Sequence, residues 1–289
     1  MDKCFACPRA CGVDRKKSIG YCGADDKIRI GKVMLHRFEE PVISGERGSG
    51  AIFFGGCNLR CVFCQNHEIS HQNKGEVWSE EKLEEAIYSL EKAGAHNINL
   101  VTATHYAPLI LPVLKRVKKN LSIPIVYNCS GYEKVDTLRE FEGIVDIYLP
   151  DFKYFDSALS SAFSSAPDYF TVAVEAIKEM VRQKSKVKIE NGLIKEGVII
   201  RHLVLPAHRE DSKRVLREIK DRFPTALVSI MRQYTPSFNR SPYPELNRKL
   251  TSFEYDEVVK FAVEIGLEGF TQEKGCESEE FTPNFKKVR

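Results

Sequence analysis

The sequence predicts an α/β fold, a partial (β/α)6 TIM-like barrel with a small N-terminal cysteine-rich module. Two observations point there. From Ala51 onward, short apolar runs rich in β-forming residues alternate with amphipathic stretches, the order of a parallel sheet whose strands are joined by covering helices. Ahead of that alternation, four of the nine cysteines fall within the first 22 residues, which sets the head apart as a satellite module.

Taken in order, residues 1–48 read as short strands and turns, with 27–33 as a hairpin arm and Gly45, Gly48 and Gly50 marking the junction. Six strands are then expected at 51–54, 97–101, 123–129, 145–150, 198–205 and 227–233. Helices are expected between them at 80–93, 109–119, 134–141, 169–184 and 211–222, with a last one at 255–265. Ser79 caps the first of these ahead of Glu80 and Glu81, and Gly94 closes it. The Pro-rich stretch 236–244 reads as a surface loop or a lid. The barrel is assigned to 49–240, and 241–289 to a C-terminal helix and tail that complete it.

Composition excludes several classes. Apolar residues make up 43% and charged residues 29%, the balance of a packed chain and not of a disordered one. With 43 basic against 40 acidic side chains, the formal charge of +3 is too even for a dedicated nucleic-acid surface. No apolar run is long enough for a bilayer, and the charged start has no signal-peptide core. The expectation is a cytoplasmic protein with neither nucleic acid nor membrane as partner. In a reducing compartment, nine cysteines argue for metal or redox use.

The chemistry begins at Gly55 and Gly56, directly after the first barrel strand, where Cys57, Cys61 and Cys64 form a C-x3-C-x2-C loop. Three thiolates in one short loop can reach three corners of a cubane, leaving the fourth iron open to chelation by a small molecule. The bland alternative is structural zinc, with His67 completing a Cys3His set, but the loop has no second knuckle. The head offers Cys4, Cys7, Cys11 and Cys22 as a second site, for which zinc and an iron–sulfur cluster both remain open.

Functional groups of α/β barrels gather at the carboxyl ends of strands. There the chain carries Thr102, Thr104 and His105, then Asn128 and Cys129, then Asp151 and Lys153, then Arg201, and finally Arg232, Gln233 and Tyr234. Asp151 and Lys153 have a simpler reading as a surface pair, His105 as loop packing, and Cys129 as a small buried apolar residue. Arg201 in an apolar strand is harder to dismiss, because an arginine there needs a partner or a cavity.

The run GCNLRCVFCQN, with Phe63 just before the third cysteine, resembles the radical S-adenosylmethionine superfamily, and within it the branch around pyruvate formate-lyase activating enzyme. The resemblance covers residues 48 to about 234, and HRFEEPVISGERGSGAIFFGGCNLRCVFCQN with the head CFACPRACGVDR and GYCG is similar to an uncharacterised group of activase homologues. It implies a [4Fe-4S] cluster on Cys57, Cys61 and Cys64, reduced by a one-electron donor such as flavodoxin or ferredoxin. The methionine amino and carboxylate groups of S-adenosylmethionine would sit on the fourth iron, and homolysis would give a 5′-deoxyadenosyl radical that takes hydrogen from a substrate.

The same resemblance implies cofactor contacts from Phe63, Asn128, the Asp-x-Lys pair Asp151 and Lys153, and Arg201, with no catalytic residue beyond the cluster ligands. Activases carry a Gly-Gly-Glu turn after the second strand for the cofactor's amino group. This chain has Thr102-Ala103-Thr104 there, so the Thr102 and Thr104 hydroxyls stand in without a carboxylate's charge. The substrate implied first is a glycine of a partner glycyl-radical enzyme. A small molecule is the alternative, and a non-enzymatic zinc-bearing interaction protein is the third reading.

Overall fold

In β2 (Ser49–Phe54), β4 (Ile98–Val101), β5 (Ile125–Cys129) and β6 (Ile147–Pro150), every residue is buried. Strands covered on both faces need this continuous apolar character, and it is what the runs in the sequence encode. The computed structural model describes residues 3–276. The remaining strands are β1 (Ile28–His36), β3 (Glu76–Trp78), β7 (Lys188–Glu190), β8 (Leu193–Leu203), β9 (Leu227–Met231) and β10 (Gly269–Thr271).

They form one mixed sheet in the order β10-β9-β8-β6-β5-β4-β2-β1-β3, with β7 on β8 as a hairpin. Along this order every pairing from β10 to β2 is parallel, while β1, β3 and the β7 hairpin add antiparallel pairs. This is the mostly parallel sheet of a partial TIM-like barrel, flanked by helices. The parallel run holds a seventh strand, β10, where six were expected. Its Gly-Phe-Thr has no apolar run to announce it. A Cβ at Gly269 would stand 1.8 Å from the Val228 carbonyl oxygen, so a glycine is what admits the strand against β9.

Helices lie at Glu80–Lys92, Ala107–Val117, Val135–Arg139, Tyr169–Gln183, Arg209–Arg222 and Ser252–Glu264, within a few residues of the expected positions. Ser79 caps the first by accepting from the Lys82 amide. Ser157–Ser164 is a further helix, too short and serine-rich to show a clear apolar stripe. Residues 277–289, the end of the expected tail, lie outside the described residues. Among the described residues, no helix is long and apolar enough to cross a membrane.

Strand alternation decides what enters the barrel. Tyr127, Tyr148 and Ile200 join the large core under the helices. Their neighbours Val126, Ile147, Leu149 and Ile199 turn to the concave side, where they pack around Ile43. Ile43 belongs to Pro41–Ser44, a single turn in the link from β1 to β2. Because His36 stands opposite Ser49 at the start of β2, this link passes beneath the amino ends of the strands and plugs the barrel there. The Asn97 amide holds the plug by donating to the Ile43 carbonyl at 2.8 Å.

Ile43→Ala, a truncation of a fully buried side chain, is expected to cost about 2–5 kcal/mol. Denaturant midpoints measure this, and an unchanged midpoint would contradict the plug.

Candidate functional site

The cysteine loop leaves β2 under tight backbone control. The Gly55, Gly56 and Cys57 amides donate to the carbonyls of Arg29 (2.8 Å), Ile69 (2.8 Å) and Cys22 (2.9 Å). Gly56 turns with φ +78°, and a Cβ on it would stand 2.4 Å from the Cys22 oxygen and 3.2 Å from His105 Nε2. His105 lies at 2.7 Å from the Gly55 carbonyl, and burial pushes its pKa down to about 4, so it supports the loop as a neutral ring.

Each thiol of the loop receives a hydrogen bond from the chain. Cys57 Sγ accepts from the amides of Leu59 (3.4 Å) and Arg60 (3.5 Å), Cys61 from the Ser164 hydroxyl (3.1 Å), and Cys64 from the Ser70 hydroxyl (3.3 Å). Such donors favour thiolate and tune a cluster bound to it. Burial, with the neighbouring Cys61, pushes Cys57 up to about 12 and Cys64 up to about 11. A metal must therefore displace these protons to bind.

The residues fit three corners of a cubane, in which each sulfur meets a different iron. A zinc site would need a fourth ligand. His67, the proposed fourth zinc ligand, is stacked on His71 at 4.4 Å.

The three cysteines open onto a cleft of about 180 Å³, which Phe63, Thr102, Asn128, Asp151, Lys153, Arg201, Gln233 and Tyr234 also line. Phe63 is braced edge-on by Phe163 and Tyr234, at 6.3 and 6.1 Å. On the facing wall, Arg201 uses three nitrogens: Nε donates to Asp151 (2.9 Å), Nη1 to Glu39 (3.1 Å) and Nη2 to Asn128 (2.7 Å). Lys153 Nζ donates to the other Asp151 oxygen at 2.6 Å. These side chains are only 13–15% exposed, within the cleft, so the surface-pair reading of Asp151 and Lys153 does not describe them.

Burial raises the carboxyl pKa of Asp151, but the Arg201 and Lys153 charges outweigh it and hold the group below its usual value. Glu39 goes the other way, raised by burial more than Arg201 and Asn99 lower it. Lys153, although buried, is raised by Asp151. Lys153 spends one of its three donors on Asp151 and so retains capacity that Arg201 has largely used.

Thr102 and Thr104 part company. Thr102 lines the cleft in a left-handed conformation (φ +61°), its amide donating to the Asn128 carbonyl at 2.9 Å. For a β-branched residue this strain costs on the order of 1–3 kcal/mol. Thr104 does not line the cleft. The chain coils into a short 3-10 turn there, and its hydroxyl donates to the buried Glu133 at 2.7 Å. Arg232 also lies elsewhere, donating to the Ser252 hydroxyl with its guanidinium over Tyr255.

Reasoning from the sequence missed Glu39, Glu133, Ser70 and Ser164. The only signal for Glu39 is a pair of acids directly ahead of Pro41. The head cysteines form their own group behind Gly56, joined to the loop through Cys22.

The family model described as Radical SAM superfamily matches residues 51–241, more than half of the chain. An uncharacterized protein of Methanocaldococcus jannaschii is 31% identical over 276 residues, 92% of this chain and 75% of that protein. Streptococcus suis SuiB bound to precursor peptide SuiA shares the fold, with a TM-score of 0.53 at 11% identity over 76% of this chain and 47% of SuiB. This chain thus spans about half of SuiB. A domain of pyruvate-formate lyase-activating enzyme from Bacteroides vulgatus matches 58% of this chain and 92% of its own length, at 13% identity and a TM-score of 0.43, a likeness too loose to carry weight.

Glu133, outside the cleft lining, gives the fold a pH signature. Burial raises its pKa to about 8, against hydrogen bonds from Thr104, Tyr127 and Cys129 that lower it. The unfolded chain releases this proton near pH 4.5 and the folded chain only near pH 8, so stability falls as the pH rises across that window. Glu133→Gln is expected to flatten this fall and to exceed wild type in stability above about pH 8. Anaerobic denaturant midpoints at about pH 5 and about pH 8.5 test this, and equal slopes for the two proteins would refute it.

Proposed function

The chain belongs to the radical SAM superfamily, and from that premise we propose that its cleft binds S-adenosylmethionine against a [4Fe-4S] cluster on Cys57, Cys61 and Cys64 and directs hydrogen abstraction at a glycine presented by a partner protein. When bound, cluster and cofactor together supply a 5′-deoxyadenosyl radical through one-electron reductive cleavage. One observation carries the reading. A single cleft brings the three cysteines to face Asp151, Lys153, Arg201 and Asn128.

The residues divide the work by chemistry. Lys153 offers its remaining donors to the cofactor's carboxylate. Asn128 and Gln233 offer amides to its hydroxyls, and Phe63 and Tyr234 give ring faces to its base. The carboxylate that a Thr-Ala-Thr turn cannot provide for the ammonium is present in the cleft as Glu39. Arg201, tied to Asp151, Glu39 and Asn128, holds that wall in register. Apolar Phe53, Leu203 and Met231 exclude water beside these groups.

The partner follows from the resemblance to activases. With the cofactor in the cleft, the substrate carbon is brought from outside, as a segment of another chain can be. A flavodoxin- or ferredoxin-like protein serves as one-electron donor in this reading.

Anaerobic protein with dithionite and S-adenosylmethionine is expected to form 5′-deoxyadenosine, and Cys61→Ala to form none. Lys153→Met is expected to raise the KM for S-adenosylmethionine about 10- to 100-fold, the weight of a lost charge-assisted hydrogen bond. Product formation by Cys61→Ala would sink the proposal. A lysate labelled with deuterated glycine should pass deuterium to 5′-deoxyadenosine from its macromolecular fraction. Transfer from the small-molecule fraction alone would replace the glycine reading with a small-molecule one.

A further inference from the structure

We infer that the head carries a second metal centre, held by the four thiolates of Cys4, Cys7, Cys11 and Cys22, and that this centre braces the backbone of the Cys57 loop. The first ground is what the head lacks. Residues 3–27 contain no helix or strand. Their buried apolar side chains are Cys4, Ala6, Cys7, Cys22 and Ala24, while the large ones, Phe5, Ile19 and Tyr21, are 47%, 65% and 38% exposed. Ordering each residue costs on the order of 1–2 kcal/mol of backbone entropy, and alanines and thiols bury too little to repay it. A segment of this kind needs a staple. The cysteines are free thiols, so the staple is not a disulfide.

The second ground is how the thiols are surrounded. Arg15 Nη2 reaches Cys22 Sγ at 3.6 Å. Gly20 faces two sulfurs with bare backbone, since a Cβ there would stand 3.4 Å from Cys22 Sγ and 3.6 Å from Cys11 Sγ. Donors aimed at sulfur stabilise thiolate charge, which a buried site tolerates only with a cation beside it.

Four thiolates hold either one zinc ion or an iron–sulfur cluster, and metal content separates the two.

The brace is visible in the backbone. Cys22 accepts from the Cys57 amide at 2.9 Å. Arg9 donates to the carbonyls of Asn58 (2.8 Å) and Ser164 (2.9 Å), and the Ser164 hydroxyl in turn donates to Cys61. A metal that fixes Cys7 and Cys22 therefore fixes the surroundings of two loop cysteines.

The chain with Cys57, Cys61 and Cys64 all changed to Ala, purified and reconstituted anaerobically with iron and sulfide, tests the inference. It is expected to retain either about four irons and four sulfides, with a reduced EPR signal that S-adenosylmethionine leaves unchanged, or about one zinc. Wild type is expected to hold the same metal in addition to the loop's irons, which requires no variant to fold. Cys11→Ser, at the exposed position, should lower both the head's metal and the occupancy of the loop. A triple variant that holds neither metal, or a wild type with about four irons and no zinc, would overturn the inference. Failure of the proposed function would leave the head's metal in place, whereas failure here would leave S-adenosylmethionine cleavage intact.

Discussion

A guanidinium charge inside a sheet is the constraint around which the cleft is arranged. Arg201 sits on the concave face of β8, and leaving it unpaired would cost several kcal/mol. The fold answers with acceptors from three directions: Asp151 at the end of β6, Asn128 on β5, and Glu39 rising from the plug. Asp151 is bridged to Arg201 through the backbone as well. These contacts tie β5, β6 and β8 together beyond their ladders and their packing around Ile43. They also decide which cation remains available to a ligand, because Arg201 is committed on three sides and Lys153 on one.

The cysteine loop is held in a comparable way on the opposite wall. Its path depends on Gly56, squeezed between the Cys22 carbonyl and the His105 ring, and its sulfurs depend on Ser70 and Ser164. The loop is thus built from the head, from the turn after β4 and from the helix Ser157–Ser164, although its ligands come from eight consecutive residues. Substituting a surrounding residue such as Ser164 should perturb a bound cluster without removing a ligand, which is how surroundings tune metal sites generally.

What was legible in the sequence was local. Three cysteines in one loop, Asp-x-Lys at a strand end and an arginine in an apolar run each announce themselves within a few residues. The parallel strands were legible because strands covered on both faces must be apolar throughout. Glu39 was not, because its partner Arg201 lies 162 positions away and an acid before a proline usually marks a turn. Thr104 misled for a related reason. Its position after β4 suggested the cleft, but the 3-10 turn there aims its hydroxyl at Glu133, whose own burial nothing in the local pattern reveals. Strand β10 escaped because three residues with one aromatic carry no periodicity.

The central claim is that the cleft joins an iron–sulfur cluster on Cys57, Cys61 and Cys64 to S-adenosylmethionine held by the opposite wall. Its most direct test is the EPR spectrum of the dithionite-reduced protein, recorded with and without S-adenosylmethionine labelled with 15N at the amino group. The account requires a change in the cluster's g values on addition and a hyperfine coupling to the label. A spectrum that stays the same at saturating cofactor would contradict it.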